Sequence, residues 1–243
     1  MNTHSYPHVK FGSELFPYEL KNITSLNFTA DWALSPTNKS AVGVDAQGLN
    51  DVHCVANVAL DIWADMDPAL AGNETHAGIE IMIWLGVFGP AWPLGWDKKT
   101  TRFRQTVGGY TFTLYSGTGP KGQDVFTWVP DTNYTVIAHD FAPLVQHLWK
   151  TGLVDGSASV GIIAFGSEMF FSTEPVTFQA KSLAMDVEDG RPKPSAASSW
   201  KPLGRLGWLG YASTNVKQWL GHILLSACRT STIFAGVVLV PVV

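Results

Sequence analysis

The sequence predicts an all-β domain, and three observations point to it. The stretch from Gly78 to Gly86 alternates without a slip: Ile79, Ile81, Ile83 and Leu85 point one way, Glu80, Met82 and Trp84 the other. A period of two in β-branched residues, bounded by glycines, marks a strand with one face in a core. Further runs along the chain share this composition and are separated by turn-forming residues at short intervals. Only 15% of the 243 residues are charged, while Gly (23), Pro (14) and Trp (10) are plentiful. That balance suits short strands, tight turns and an aromatic binding surface.

In chain order, the first strand-like pieces are Ser5–Phe11 and Ser25–Trp32, joined by a turn-rich bridge. A loop rich in Ser, Thr, Asn and Gly leads to Asp51. Val52–Trp63 is the next strong strand. Its small apolar face is Val52, Cys54, Ala56, Val58, Leu60 and Ile62, which makes Cys54 an inert buried thiol. His53, Val55, Asn57, Ala59, Asp61 and Trp63 make the opposite face. The loop 64–77 then leads into the Gly78–Gly86 strand. Two strands joined this closely pair antiparallel, and if their polar faces coincide Asp61 comes within reach of Glu80.

The segment Phe88–Trp96 is too rich in Gly and Pro to be a strand. Its rigid turns can hold Trp92 and Trp96 at the rim of a cleft. Strands follow at Thr101–Val107, Tyr110–Ser116 and Asp124–Pro130, with Gly108-Gly109 as a hairpin signal. One helix is expected, with Asp140 as N-cap, Pro143 in the first turn and Phe141, Leu144, Val145 and Leu148 as its apolar stripe. It reads as a brace on a sheet's outer side. Strands Ser159–Phe171 and Val176–Val187 complete the regular part. The chain therefore divides into a β domain over 1–188 and an appendage over 189–243. The appendage opens with a Pro/Ser-rich linker and continues as an apolar tail without strand alternation.

The totals exclude several functions. A net charge of −4 without a Lys/Arg cluster leaves no phosphate footprint, so no nucleic-acid partner is expected. The His residues are scattered without paired ligand spacing, so neither a metal nor another cofactor is expected. Thr232–Val243 is too short to span a bilayer, and a membrane-tethered reading rests on that tail alone. The two cysteines, Cys54 and Cys228, form no framework from which to read a compartment. Residues 1–7 show no signal pattern, but five Asn-X-Ser/Thr sequons, at Asn22, Asn27, Asn38, Asn73 and Asn133, point to a secreted glycoprotein.

The remaining class is carbohydrate chemistry. Cleaving a glycosidic bond takes one carboxylate at the anomeric carbon and one carboxylic acid to protonate the departing oxygen. Glutamates on separate strands, with Trp and Met beside the first, fit that requirement. On residue types alone, a sandwich that binds carbohydrate without turnover fits as well.

At these residues the chain resembles glycoside hydrolase family 12, the small endo-β-1,4-glucanases and xyloglucan-specific endoglucanases. Glu80-Ile-Met-Ile-Trp-Leu-Gly86 resembles the family's nucleophile strand, and Asn57-Val-Ala-Leu-Asp61-Ile-Trp63 the strand whose Asp contacts that nucleophile. Ser5-Tyr-Pro7, Tyr110–Gly117 and Val125–Val129 resemble further family segments, and the likeness runs from about residue 5 to 187. For the acid/base, Phe165-Gly-Ser-Glu168-Met-Phe170 keeps the aromatic, the Gly, the hydroxyl residue and the following Phe of the family motif, with Met169 in place of Pro. Glu174, in Ser-Thr-Glu-Pro, is the competing candidate.

The resemblance implies a β-jelly-roll sandwich of two curved antiparallel sheets, one helix on the outer face and a cleft across the concave face. It implies a monomer acting on β-1,4-glucan or xyloglucan by retaining double displacement. Glu80 would be the nucleophile, Glu168 the acid/base and Asp61 a hydrogen-bonded partner of Glu80. The expected substrate-binding residues are Met82, Trp84, Asn57, Trp92 and Trp96. Family members begin with strands carrying an Asn-Asn-Leu-Trp-Gly motif, which is absent here. The domain is therefore expected to lack its first strands and to leave sheet edges open.

Overall fold

A computed structural model of the chain describes residues 3–12, 16–37, 43–98, 102–190, 232–234 and 238–242. Asn38, Cys228, most of the expected linker and the tail up to residue 231 lie outside the described residues. The architecture is two β-sheets packed face to face. The larger sheet orders its strands β1 (His8–Phe11), β10 (Ser159–Phe171), β4 (Val55–Asp65), β5 (Ile79–Phe88), β8 (Asp124–Pro130), β7 (Tyr110–Thr118) and β6 (Arg104–Val107). The two-residue β2 (Tyr18–Glu19) also pairs with β10. Every pairing in this sheet is antiparallel except β5 with β8, which run parallel. The smaller sheet has β3 (Ile23–Pro36) between β9 (Val136–Asp140) and β11 (Val176–Asp189).

The alternation read from sequence sets the core. Val58, Leu60 and Ile62 of β4, Ile81, Ile83 and Leu85 of β5, and Ile163 and Phe165 of β10 join one buried cluster with Phe28 and Leu34 of β3 and Phe178 of β11. Aromatic rings bridge the two sheets: Phe165 lies 5.1 Å from Phe28 and 5.7 Å from Phe178, and Trp32 meets Phe88 edge-on at 6.2 Å. The other face of the larger sheet carries the polar residues of β4, β5 and β10.

Among the described residues three short α-helices decorate the sandwich: α1 (Ala46–Asp51), α2 (Pro68–Ala71) and α3 (Ala142–Lys150). Helix α3 is the one expected from sequence, and it packs against β3 and β6. Asp140 ends β9 instead of occupying the N-cap, which falls to Phe141. Its carboxylate still accepts the Ala142 N–H at 2.8 Å and also the Leu26 N–H at 2.8 Å, so it closes the helix start and ties it to β3. Helix α1 occupies a loop that sequence reads as irregular. Its Asp45 side chain accepts the Gly48 N–H at the first turn.

Two segments of the apolar tail form strands. β12 (Thr232–Phe234) and β13 (Val238–Val242) pair one after the other along β11, opposite β3. The described residues thus leave no open edge at β11, because backbone pairing covers it without the side-chain alternation that sequence reading looks for. Among the described residues no helix is long and apolar enough to cross a membrane.

Phe165 sits at the centre of the inter-sheet packing. Phe165→Ala is expected to lower the unfolding free energy by about 3–5 kcal/mol in urea titration. Phe171→Ala, at the half-exposed end of the same strand, is expected to stay within about 0.5 kcal/mol.

Candidate active site

Three adjacent strands build the site. On the polar face of β4, Asp61 stands opposite Met82 of β5 and opposite Ala164 of β10. Glu80 is opposite Trp63, which makes it the diagonal neighbour of Asp61 on the same face. Glu168 is opposite Asn57, farther along the same face of β4. On the far side of β5, Glu80 pairs with Val125 and Met82 with Thr127 of β8. Glu80, Glu168, Met82, Trp84, Trp92, Val125 and Thr127 line one cleft. Glu174 lines a separate depression with Phe171 and Pro175.

Each carboxylate has its own partners. Glu168 accepts the Asn57 amide at 2.6 Å and the Thr3 hydroxyl at 3.0 Å, while its own backbone N–H donates to Asn57 Oδ1 at 3.3 Å. Asn57 is fully buried, and its backbone carbonyl takes the Ser167 hydroxyl at 2.7 Å. Asn57 thus holds Glu168 from below and does not line the cleft. Glu80 accepts the Gln123 amide at 3.3 Å. Asp61 is buried beneath the cleft and accepts the Tyr6 hydroxyl; its Oδ1 has no partner among the described residues. The expected hydrogen bond between Asp61 and Glu80 is not among these contacts. Between two acids it would require a shared proton, whereas the Tyr6 hydroxyl donates freely.

Burial is the main cause that raises the pKa of all three carboxyls. The Glu168 charge raises Asp61 and Glu80 further, and the Glu80 charge adds to Asp61. In the other direction, Gln123 and the Lys121 charge stabilise ionised Glu80, Asn57 and Thr3 stabilise ionised Glu168, and Tyr6 stabilises ionised Asp61. Tyr6 itself is pushed well above the usual tyrosine range by burial and then by Asp61. In a poorly hydrated cluster of like charges, burial and mutual repulsion both favour protonation of its members. Such a site can therefore present a carboxylate and a carboxylic acid together.

The aromatic residues take distinct places. Met82 and Trp84 are buried in the floor, and the Trp84 indole N–H finds no acceptor among the described residues. Trp92 lines the cleft, and Trp96 stacks behind it with ring centres 4.0 Å apart, outside the lining. Sequence reading overlooked Tyr6, Gln123 and Thr3. Tyr6 lay within the Ser5-Tyr-Pro7 segment, which carried a family likeness but no assigned role. Gln123 and Thr3 sit in irregular backbone and carry no sequence signal.

Residues 14–188 match the profile of glycosyl hydrolase family 12. The chain belongs to that family. It is similar to xyloglucan-specific endo-beta-1,4-glucanase A of Emericella nidulans, with 25% identity over 170 residues that cover 70% of this chain and 61% of that one. A probable xyloglucan-specific endo-beta-1,4-glucanase A of Aspergillus flavus is 31% identical over 134 residues, which cover 55% of this chain and 52% of that one. The chain thus spans about half to three fifths of the length of these relatives. Among solved structures, endoglucanase 3 of Trichoderma harzianum superposes with a TM-score of 0.60 at 24% identity, covering 77% of this chain and 72% of that one. A family 12 xyloglucanase of Bacillus licheniformis gives 0.57 at 19% identity, covering 77% and 78%. These neighbours establish the fold as a β-jelly-roll sandwich.

The buried acids make stability depend on pH with a definite sign. A carboxyl whose folded pKa lies above its unfolded value binds more protons when folded, so stability falls as pH rises above the ordinary carboxylate range. Removing the charge of Asp61 removes that loss. Asp61→Asn is expected to raise the urea midpoint at neutral pH by an amount worth about 1 kcal/mol or more and to leave it nearly unchanged near pH 3–4. A gain of equal size at both pH values would contradict the assigned burial of charge.

Proposed function

We propose that the protein is an endo-acting β-1,4-glucan hydrolase that works by retaining double displacement. The observation that carries this reading is the pairing of Glu80 and Glu168 on one cleft, near enough that the charge of Glu168 shifts the titration of Glu80. Family membership supports the reaction class. The relatives named as xyloglucan-specific favour xyloglucan among the β-glucans.

Glu80 is the nucleophile. Lys121 and Gln123 favour its ionised form, and it lies on the β5 side of the cleft beside Met82. Its oxygen bonds to the anomeric carbon as the glycosidic bond breaks. The electron pair leaves with the departing oxygen, which takes the proton of Glu168. Water then donates a proton back to Glu168 while its oxygen displaces Glu80, and the anomeric configuration is restored. Asn57 and Thr3 aim the Glu168 carboxyl, and Asp61, held by Tyr6, keeps a further acid beneath the pair. Separated surroundings of this kind push paired carboxyls toward different roles. Glu174, exposed and in a different depression, takes no part. Secretion accords with exposed sequon asparagines at Asn27, Asn73 and Asn133.

Reducing-sugar release from xyloglucan and barley β-glucan tests the reading. Glu80→Gln is expected to lower kcat by about 10³-fold or more, and Glu174→Gln to leave it within about twofold. Glu168→Gln is expected to lose polysaccharide hydrolysis but to retain most of its first-step rate on aryl glycosides whose leaving group needs no proton. Binding of polysaccharide with no release by the unaltered chain would instead make it a carbohydrate-binding sandwich.

A further inference from the structure

The loop after β5 is unusually well fastened for an exposed Gly/Pro-rich segment. The Arg102 guanidinium donates to the carbonyl oxygens of Gly95 (3.3 Å), Trp96 and Lys98 (3.0 Å), and it lies over the Tyr115 ring of β7 at 4.4 Å. Lys98 Nζ adds a bond to the Ser116 carbonyl at 3.2 Å. The backbone of the loop sits directly on β7. Gly95 has φ of +79°, and a Cβ there would fall 2.0 Å from the Ser116 carbonyl oxygen; one on Gly117 would fall 2.8 Å from Leu94 Cβ. Neither approach admits a side chain.

What this fastening presents is a flat aromatic surface. Trp92 is 51% and Trp96 44% exposed, an uncommon state for two large apolar rings side by side. If the stack served only to close the turn, it would be expected to bury its outer ring against the sheet. Instead, the outer ring faces the cleft that contains Glu80 and Glu168. The loop docks at Ser116–Gly117, and Gly117 is level with Val125, which is itself level with Glu80. Two strand spacings therefore separate the loop's anchor from the Glu80 strand, roughly 10 Å at about 4.8 Å per strand. In the floor of the same cleft, Trp84 is buried with an indole N–H that has no acceptor among the described residues. An apolar plate and an unused donor lining one cleft fit a pyranose, whose ring face is apolar and whose edge carries hydroxyl oxygens.

We propose that Trp92 is a pyranose-binding position on the β8–β7 side of the glutamate pair, backed by Trp96 and fixed by Arg102, and that it sets the chain length the protein prefers. This deepens the β-glucan reading above and rests on it. Trp92 is the contact residue. Arg102 and Trp96 are positioning residues that act through it, because they hold the plate in its binding orientation before substrate arrives.

The test compares kcat/KM for cello-oligosaccharides from the trisaccharide to the hexasaccharide in the full chain and in Trp92→Ala, Trp96→Ala and Arg102→Lys. The ratio of long-chain to short-chain kcat/KM is expected to fall about tenfold in Trp92→Ala and severalfold in the other two, with the loss in KM and not in kcat. Lysine lacks the planar guanidinium that lies over the Tyr115 ring, so Arg102→Lys is not a conservative change. A ratio unchanged in Trp92→Ala, or short and long substrates losing equally, would overturn the proposal. Calorimetric affinities of Glu80→Gln for the same oligosaccharides, with and without Trp92→Ala, decide the matter without turnover. A length-dependent affinity that vanishes with Trp92 supports the position, and an unaltered one overturns it. Absence of hydrolysis by the unaltered chain would count against the hydrolase reading alone.

Discussion

The register of β4 between β10 and β5 is the constraint on which the site depends. One strand places Asn57 opposite Glu168 and Asp61 diagonal to Glu80, while its other face supplies Val58, Leu60 and Ile62 to the core. Because side chains alternate, a slip of one residue would send the acids into the sandwich and the aliphatic residues into the cleft. The hydrophobic effect thus enforces the geometry of the chemistry. Burying the aliphatic face and assembling the carboxyl cluster are the same event.

That arrangement carries a cost. Asp61 lies fully enclosed with one oxygen unpartnered, and Glu80 and Glu168 share a poorly hydrated cleft. Desolvation disfavours each charge, and mutual repulsion disfavours having several at once. Tyr6, Asn57, Gln123 and Thr3 offset part of that cost through directed hydrogen bonds. They also fix the rotamers of the groups they touch. Strain of this sort belongs to sites in which reactivity is kept at the expense of stability. The bulge between Val58 and Ala59 in the β4–β5 pairing lies close to the cluster, as irregularities beside functional sites commonly do.

Legibility in the sequence followed burial. Strands β4, β5, β8 and β10 were readable because one face of each is packed, so the period of two is strong in Val52–Trp63, Gly78–Gly86 and Ser159–Phe171. The pairing of Asp61 with the Glu80 strand followed from a short connection between two such strands. Strand β9 was missed because only Ile137 within it is buried, and α1 because one and a half turns are too short to show a helical period. The family resemblance makes Asn57 a substrate contact, whereas the structure gives it a different place. Only side-chain coordinates reveal that it is buried under Glu168 and bonded to it. The clamp of Arg102 on the loop after β5 joins backbone carbonyls to a side chain beyond residue 98, and no residue pattern encodes such a contact.

The central claim is that Glu80 is the group that bonds to the sugar. A 2-deoxy-2-fluoro cellobioside or xylogluco-oligosaccharide with a good leaving group slows the second displacement and traps the covalent intermediate. Peptide mapping of the trapped protein by mass spectrometry is then decisive. The account predicts one label per chain, on the peptide containing Glu80 and on that residue, with none formed in Glu80→Gln. A label on Glu168 or Glu174, or labelling that persists in Glu80→Gln, would contradict it.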